Sequence, residues 1–210
     1  MGLISLLFSN PVLFIILAAV LLYSVILHEV AHGWVAHLFG DDTALYSGRL
    51  TLNPVSHLDP IGTLMLFLVG FGWARPVPVN YSRFSNTRIG LFCVALAGCL
   101  TNILIAIIAL IFLQFDAVNS SPVFSAILPI VVKINIILGA FNLIPIPPLD
   151  GSKILMSFLP YEAQETLASL EPYGFFVLAF LLFTGLLNPA IVFMQSLIYG
   201  LIEFLFNFFK

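Results

Sequence analysis

Residues 11–39 read PVLFIILAAVLLYSVILHEVAHGWVAHLF, and this stretch decides the class of fold. It is long and apolar enough for a membrane-spanning helix, because a bilayer core of roughly 30 Å needs about 20 helical residues. In its second half it nevertheless contains a cluster of ionisable side chains, His28, Glu29 and His32, followed by His37. Such groups are costly inside a membrane, so their presence there indicates a functional site.

The composition of the whole chain agrees with a membrane protein. Of the 210 residues, 61% are hydrophobic and 8% are charged, and the mean hydropathy is +1.13. An ordinary soluble domain carries about 25% charged residues. We therefore expect an all-α polytopic membrane protein surrounded by a lipid bilayer. The net charge of −3 and the lack of a basic run argue against a nucleic-acid partner.

Four further apolar regions, at 89–115, 123–144, 173–187 and 190–208, bring the expected number of transmembrane helices to about five. A shorter apolar region at 61–73 contains three glycines and is typical of a re-entrant segment.

Two polar stretches near the first span read as β-strands. They are ALYSGRLTL at 44–52 and RPVPVNY at 75–81, whose alternate prolines confine the second to a sheet edge. The sequence therefore predicts a small β-sheet at the membrane surface.

The segment HEVAH at 28–32 has the spacing of a zinc hydrolase. Residues four apart lie on one face of a helix, so the His28 and His32 imidazoles converge, with Glu29 beside them to activate water. The alternative is that neighbouring backbone carbonyls satisfy both imidazoles.

A catalytic zinc usually takes three protein ligands, so a third one must be found. His37 lies five residues after His32, about 140° around the helix, which points it away. Two candidates remain: His57, in a loop, and Asp150, in NLIPIPPLDG. The prolines of the latter stretch break the helix at membrane depth, which is tolerated where backbone lines a wet cavity. Taken alone, the stretch also fits a proline-rich turn.

Topology favours Asp150. If residues 61–73 only dip into the membrane, the next two spans carry the chain across and back, so Asp150 returns to the face where HEVAH lies. If residues 61–73 cross the membrane, Asp150 emerges on the opposite face and cannot join the two histidines. The re-entrant path of residues 61–73 also places Lys133 towards the opposite face. It places the other cations on the face of the site: Arg49, Arg75, Arg83, Arg88, Lys153 and Lys210. Positive charge marks the cytoplasmic side, so we expect a multi-pass protein of the cell membrane with its site nearer the cytoplasm.

Five segments together make the chain resemble the site-2 proteases, the intramembrane zinc metalloproteases of peptidase family M50. They are ILHEVAHGWVAHLFGD, SGRLTLNPVSHLDPIGT, GWARPVPVN, ALAGCLTN and FNLIPIPPLDGSKIL. The resemblance is to the compact type without a PDZ or CBS domain. It implies that His28, His32 and Asp150 bind one Zn²⁺ per chain and that Glu29 is the general base.

The resemblance also implies roles for two asparagines. Asn142 matches the family asparagine thought to stabilise the oxyanion or orient substrate. Asn102 matches the asparagine of an A-G-P-x-x-N pattern, in which Cys99 here replaces the proline. Both side chains equally fit hydrogen bonds between membrane helices.

The function expected from the resemblance is zinc-dependent endopeptidase cleavage of membrane-anchored proteins within or near their transmembrane segments, that is, regulated intramembrane proteolysis. Residues 1–210 form one domain in this interpretation, with a core at 11–155 and accessory C-terminal helices at 172–208. The alternative is a non-proteolytic membrane protein that binds or transports metal. The sequence indicates neither the physiological substrate nor the oligomeric state.

Overall fold

The computed structural model describes residues 4–69 and 72–208. Ten α-helices form within these residues: α1 (Ile4–Ser9), α2 (Pro11–Leu38), α3 (Thr43–Tyr46), α4 (Pro60–Val69), α5 (Thr87–Phe112), α6 (Asp116–Asn119), α7 (Pro122–Asn142), α8 (Asp150–Met156), α9 (Tyr161–Phe183) and α10 (Asn188–Phe208). Single 3₁₀ turns cover Pro54–Ser56 and Tyr81–Arg83.

Five of these helices, α2, α5, α7, α9 and α10, are long and apolar enough to cross a membrane. This confirms the prediction of an all-α polytopic membrane protein. The boundaries of the long helices follow from local signals. The Asn10 side chain accepts a hydrogen bond from the Leu13 N–H and Pro11 occupies the first turn of α2, while Asn86 caps α5 through the N–H of Ile89.

Helix α5 is central, since it packs against α2, α7 and α8, while α2 and α7 also contact each other. Small residues on α5, among them Gly98 and Ala106, are buried at these contacts and allow close approach of the helices. Away from the ionisable groups, the core is aliphatic. It joins Ile103 of α5 to Ile136 of α7 and Ile198 of α10.

Helix α10 runs antiparallel to α7. Its first turn packs near the end of α7, where Ile191 joins the cluster around Ile144. Near its other end, Phe206 joins the cluster that contains Leu128, in the first half of α7. The sequence argument placed the chain terminus on the face of Asp150, whereas this direction carries α10 away from it. Lys210 itself lies outside the described residues.

The predicted β-sheet is wrong. The start of the 44–52 stretch lies in the short helix α3, and residues 75–80 belong to no helix or strand. The β-pairing within residues 4–69 and 72–208 amounts to one isolated bridge, between Leu58 and Ala74. Pro76 and Pro78 lack the N–H groups that a ladder needs. The Val77 N–H donates instead to a side chain of α2.

The region predicted as re-entrant begins with the ten-residue helix α4. At 1.5 Å per residue this helix is about 15 Å long, half of a bilayer core. Residues 70 and 71 lie outside the described residues, and the re-entrant position stays a prediction.

Candidate metal centre

Three side chains from distant parts of the chain meet at one point in the bundle. His28 and His32 lie one turn apart in the second half of α2, and Asp150 is the first residue of α8. The two Nε2 atoms are 3.1 Å apart, and Asp150 Oδ2 lies 3.1 Å from that of His28 and 3.2 Å from that of His32. All three residues are buried, with at most 8% of their surface exposed. The structure therefore places Asp150, one of the two candidates for the third ligand, beside both histidines.

The hydrogen bond made by Nδ1 of each imidazole determines which of its two ring nitrogens carries the proton. His32 Nδ1 lies 2.7 Å from the carbonyl oxygen of Val94, which can only accept, so this nitrogen carries the proton. His28 Nδ1 lies 2.7 Å from Asn102 Oδ1 and likewise donates to it. Each Nε2 atom therefore turns a lone pair towards the meeting point, the arrangement usual for histidines that bind metal.

The donor set fits a metal cation. Two imidazole lone pairs and a carboxylate oxygen face one another, and acceptors held this close repel unless a positive charge lies between them. The three atoms form a nearly equilateral triangle. A zinc ion would suit this donor set, because zinc takes nitrogen and carboxylate oxygen ligands at about 2.0–2.2 Å.

Two glycines allow these three side chains to meet. A Cβ atom on Gly98 of α5 would lie 2.5 Å from both His28 Cε1 and His32 Nε2, so only glycine leaves room for the imidazoles. Gly151 packs directly against the backbone carbonyls of Leu143 and Ile144, where a side chain would clash. This contact holds Asp150 against the end of α7.

Glu29 lies beside this triad and holds a backbone segment over α2. Its Oε2 atom accepts a hydrogen bond from the Val77 N–H at 2.9 Å. Residues 75–80, which we name the covering segment, are further fixed where the Asn80 N–H donates to Asp41 Oδ2 at 2.6 Å. Val77 also packs against Gly33, where a Cβ atom would lie 2.9 Å from its Cγ1. The covering segment thus lies across the turn of α2 that carries Glu29.

Comparison with known proteins places the chain in a family. The profile described as Peptidase family M50 matches residues 116–185, which include Asp150. The chain is also 41% identical over 177 residues to a Bacillus subtilis protein named "Putative zinc metalloprotease YwhC", an alignment that covers 81% of each chain. The chain belongs to peptidase family M50, the site-2 protease family.

Two further relatives share less of their sequence with the chain. "Putative zinc metalloprotease Rip2" of Mycolicibacterium smegmatis is 31% identical over 83% of this chain and 69% of its own length. "Zinc metalloprotease MJ0392" of Methanocaldococcus jannaschii is 29% identical over 72% of this chain and 36% of its own length. No solved structure matches the chain.

Two histidines of this M50 protein lie away from the triad. His37 Nδ1 pairs with Asp42 Oδ1 at 2.5 Å. His57 is buried, and its Nε2 atom donates to the Thr51 carbonyl at 2.8 Å. His57, the alternative third ligand, is thus held in the 3₁₀-turn region after α3 rather than beside His28.

The two asparagines predicted to be catalytic occupy different positions. Asn102 is fully buried behind His28, and its amide is used in hydrogen bonds to protein groups. This placement makes Asn102 a support for the His28 imidazole, and its catalytic role stays a prediction. Asn142, the last residue of α7, is half-buried and donates to the Leu138 carbonyl at 3.1 Å.

Sequence reasoning missed three residues of this site: Ser24, Gly98 and Asn135. Gly98 contacts both imidazoles, and Ser24 and Asn135 are buried polar groups hydrogen-bonded to each other at 2.9 Å. A signal for Asn135 was available, because an amide in the middle of an apolar span is costly unless it has a partner.

Proposed function

We propose that the protein is a zinc-dependent intramembrane endopeptidase that cuts membrane-anchored proteins within or near their transmembrane segments. The observation that carries the proposal is the meeting of His28, His32 and Asp150 within the apolar bundle, with Glu29 next to them on α2. The M50 relatives named zinc metalloproteases support both the metal and the reaction. Residues 11–155 hold the reaction centre in this proposal, and the helices within 172–208 are accessory.

His28, His32 and Asp150 are the proposed ligands of one zinc ion. Bound zinc supplies a Lewis acid that polarises a carbonyl group and lowers the pKa of water. Glu29 takes a proton from the attacking water and returns it to the amine that leaves. Its carboxylate can do so while anchored, because the Val77 N–H occupies one of its two oxygens.

Asn142 is the proposed donor to the oxyanion. Its hydrogen bond to the Leu138 carbonyl uses one amide N–H, and the second N–H is available for a substrate carbonyl. Asn142 lies at the end of α7, just before the turn that leads to Asp150. Removal of one oxyanion donor typically lowers kcat by about 10²–10³-fold.

The covering segment is the proposed holder of an unwound substrate. A helical substrate hides its carbonyls in hydrogen bonds and must become extended before it is cut. In an extended chain, successive residues direct their backbone groups to opposite edges. The N–H groups of Arg75 and Val77 face the protein, where they donate to the His57 carbonyl and to Glu29. The other edge offers the carbonyls of Pro76 and Pro78, which accept N–H groups from substrate and leave its own carbonyls free.

We further propose that the site lies nearer the cytoplasmic face of the cell membrane. The cations at Arg49, Arg75, Arg83, Arg88 and Lys153 support this orientation, because positively charged loops stay in the cytoplasm. Helix α4, too short to span, supports the re-entrant path that brings α5 back from the same face.

The test is Glu29→Gln in protein reconstituted with zinc and a membrane-anchored peptide substrate. Glutamine retains an oxygen for the Val77 N–H but cannot act as a base. We expect unchanged zinc content and a loss of cleavage of about 10²–10⁴-fold. Cleavage at the wild-type rate would contradict the proposal. Absence of cleavage in the wild type together with zinc flux across vesicles would favour a metal transporter.

A further inference from the structure

A continuous chain of hydrogen bonds runs behind His28 through three helices. Asn102 of α5 accepts from His28 Nδ1 at 2.7 Å and donates to Asn135 Oδ1 of α7 at 2.9 Å. Asn135 Nδ2 in turn donates to Ser24 Oγ of α2 at 2.9 Å. We name Ser24, Asn102 and Asn135 the polar chain. Ser24 is 4% exposed and both asparagines are 0% exposed, so no bulk water competes for these bonds.

Backbone carbonyls fix the direction of the polar chain. Asn135 Nδ2 lies 2.9 Å from the Val131 carbonyl oxygen, which can only accept a hydrogen bond. The amide nitrogen of Asn135 must therefore face Val131, and its Oδ1 must face Asn102. Asn102 then presents Nδ2 to Asn135, a direction that the nearby Ser24 carbonyl at 3.4 Å also favours. One orientation of each amide satisfies all of these contacts.

The direction decides which nitrogen of His28 is protonated. Asn102 turns its Oδ1 to His28, so Nδ1 must carry a proton and Nε2 keeps the lone pair that faces Asp150. With the Asn102 amide reversed, its N–H would face Nδ1 and move the imidazole proton to Nε2. A histidine in that form cannot bind metal through Nε2.

We infer that Asn135 is a positioning residue that fixes the tautomer of His28 through Asn102, an inference that rests on the proposed role of His28 as a metal ligand. If the polar chain only joined helices, its loss would lower stability without changing the protonation of His28. If Asn135 positions His28, its loss also weakens metal binding, since partners behind a ligand typically affect metal affinity by about 10–100-fold.

The experiment compares Asn135→Leu with Ile136→Ala in the full-length protein in detergent. Leucine has the same number of side-chain heavy atoms and the same branching as asparagine, although it is bulkier, and it removes every hydrogen bond of the amide. Ile136 is the adjacent residue of α7, is equally buried and has no polar group, so its truncation controls for packing loss in the same helix. Zinc affinity is measured by competition with a chelator, and thermal unfolding of the metal-free proteins reports stability.

We expect the zinc Kd of Asn135→Leu to rise by about 10–100-fold relative to wild type, and that of Ile136→Ala to stay within about twofold. Equal zinc affinity in the two variants would overturn the inference, as would a fall in affinity that simply follows the fall in stability.

A measurement on the wild type keeps the inference falsifiable if Asn135→Leu does not fold. Nitrogen-15 NMR of the imidazole ring, before and after zinc loading, reports where the His28 proton lies. A proton on Nδ1 in both states is expected, and an unprotonated Nδ1 would overturn the inference. These readouts need no cleavage, so they remain distinct from a failure of the proposed protease activity.

Discussion

The backbone N–H of Val77 donates a hydrogen bond to Glu29 Oε2 across 48 residues of sequence, at 2.9 Å. This bond links the proposed general base directly to the covering segment. The base and the proposed substrate holder are therefore placed by one contact.

Replacement of residues 75–80 by a Gly-Ser stretch should slow cleavage of a transmembrane substrate but leave zinc content unchanged. The replacement removes the prolines that keep the segment extended and free of N–H donors at its outer edge. A peptide-cleavage assay beside a metal analysis measures both effects. The matched control replaces residues 118–121, at the junction of α6 and α7, and should not change either quantity. Normal cleavage by the 75–80 variant would contradict the proposal that the covering segment holds the substrate.

Gly98→Ala should lower zinc affinity at least tenfold, since the added methyl group displaces both imidazoles. Gly139→Ala is its control. It is also a buried helical glycine, but an added Cβ there meets its nearest neighbour at an ordinary 3.4 Å. Both changes improve helix propensity by about 1 kcal/mol, so propensity does not separate them. Chelator competition should show a difference in zinc Kd between the variants, and equal values would refute the proposed steric role of Gly98.

Asp41 should make the stability of the protein depend on pH. Burial alone would raise the pKa of Asp41, but hydrogen bonds from Thr43 and the Asn80 N–H outweigh it and hold the pKa below its usual value. A carboxylate with a lowered pKa in the folded state stabilises that state above the unfolded pKa of about 3.9, and this contribution disappears as pH falls through the folded pKa.

The comparison is thermal unfolding of wild type and Asp41→Asn from neutral pH to about pH 3. We expect the wild type to unfold at a higher temperature than Asp41→Asn at neutral pH, and this difference in unfolding temperature to close below about pH 4. A gap that is independent of pH would show that the charge of Asp41 is not what matters.

The direction of α10 predicts the topology of the C-terminal region. If α2, α5 and α7 cross alternately, α10 begins on the face reached by the end of α7 and leaves towards the opposite one. Helix α9 then begins and ends on one face, although it is apolar enough to cross.

Single cysteines test this topology in a background with Cys93 and Cys99 replaced by alanine. A cysteine at Asn207 should react with an impermeant thiol reagent from the same side as one at Ser120, and from the opposite side to one at Ser82. Labelling of positions 207 and 82 from the same side would instead mean that α9 crosses the membrane.

Much of the site was predictable because its signals are local. The four-residue spacing of His28 and His32 fixes their common face, and charges in an apolar span indicate function without further context. Asp150 could be paired with them because the spans alternate in direction. The predicted β-sheet was wrong for an equally physical reason. The alternating pattern of residues 75–81 predicts an extended chain, but it does not say what the N–H groups of that chain bind. Whether they meet another strand or a carboxylate such as Glu29 depends on tertiary structure.

Gly98 and Asn135 show what spacing alone does not reveal. Their importance depends on which helix faces each residue, since Gly98 matters only because two imidazoles pack on it, and Asn135 because Asn102 faces it. Such contacts appear once α2, α5 and α7 are packed together.

The most direct test of the central claim is the zinc content of purified wild type, Asp150→Ala and His57→Ala, measured by mass spectrometry. A site made of His28, His32 and Asp150 predicts one zinc per chain in the wild type and in His57→Ala, and much less in Asp150→Ala. Undiminished zinc in Asp150→Ala, or its loss in His57→Ala alone, would contradict the site and the helix arrangement that forms it.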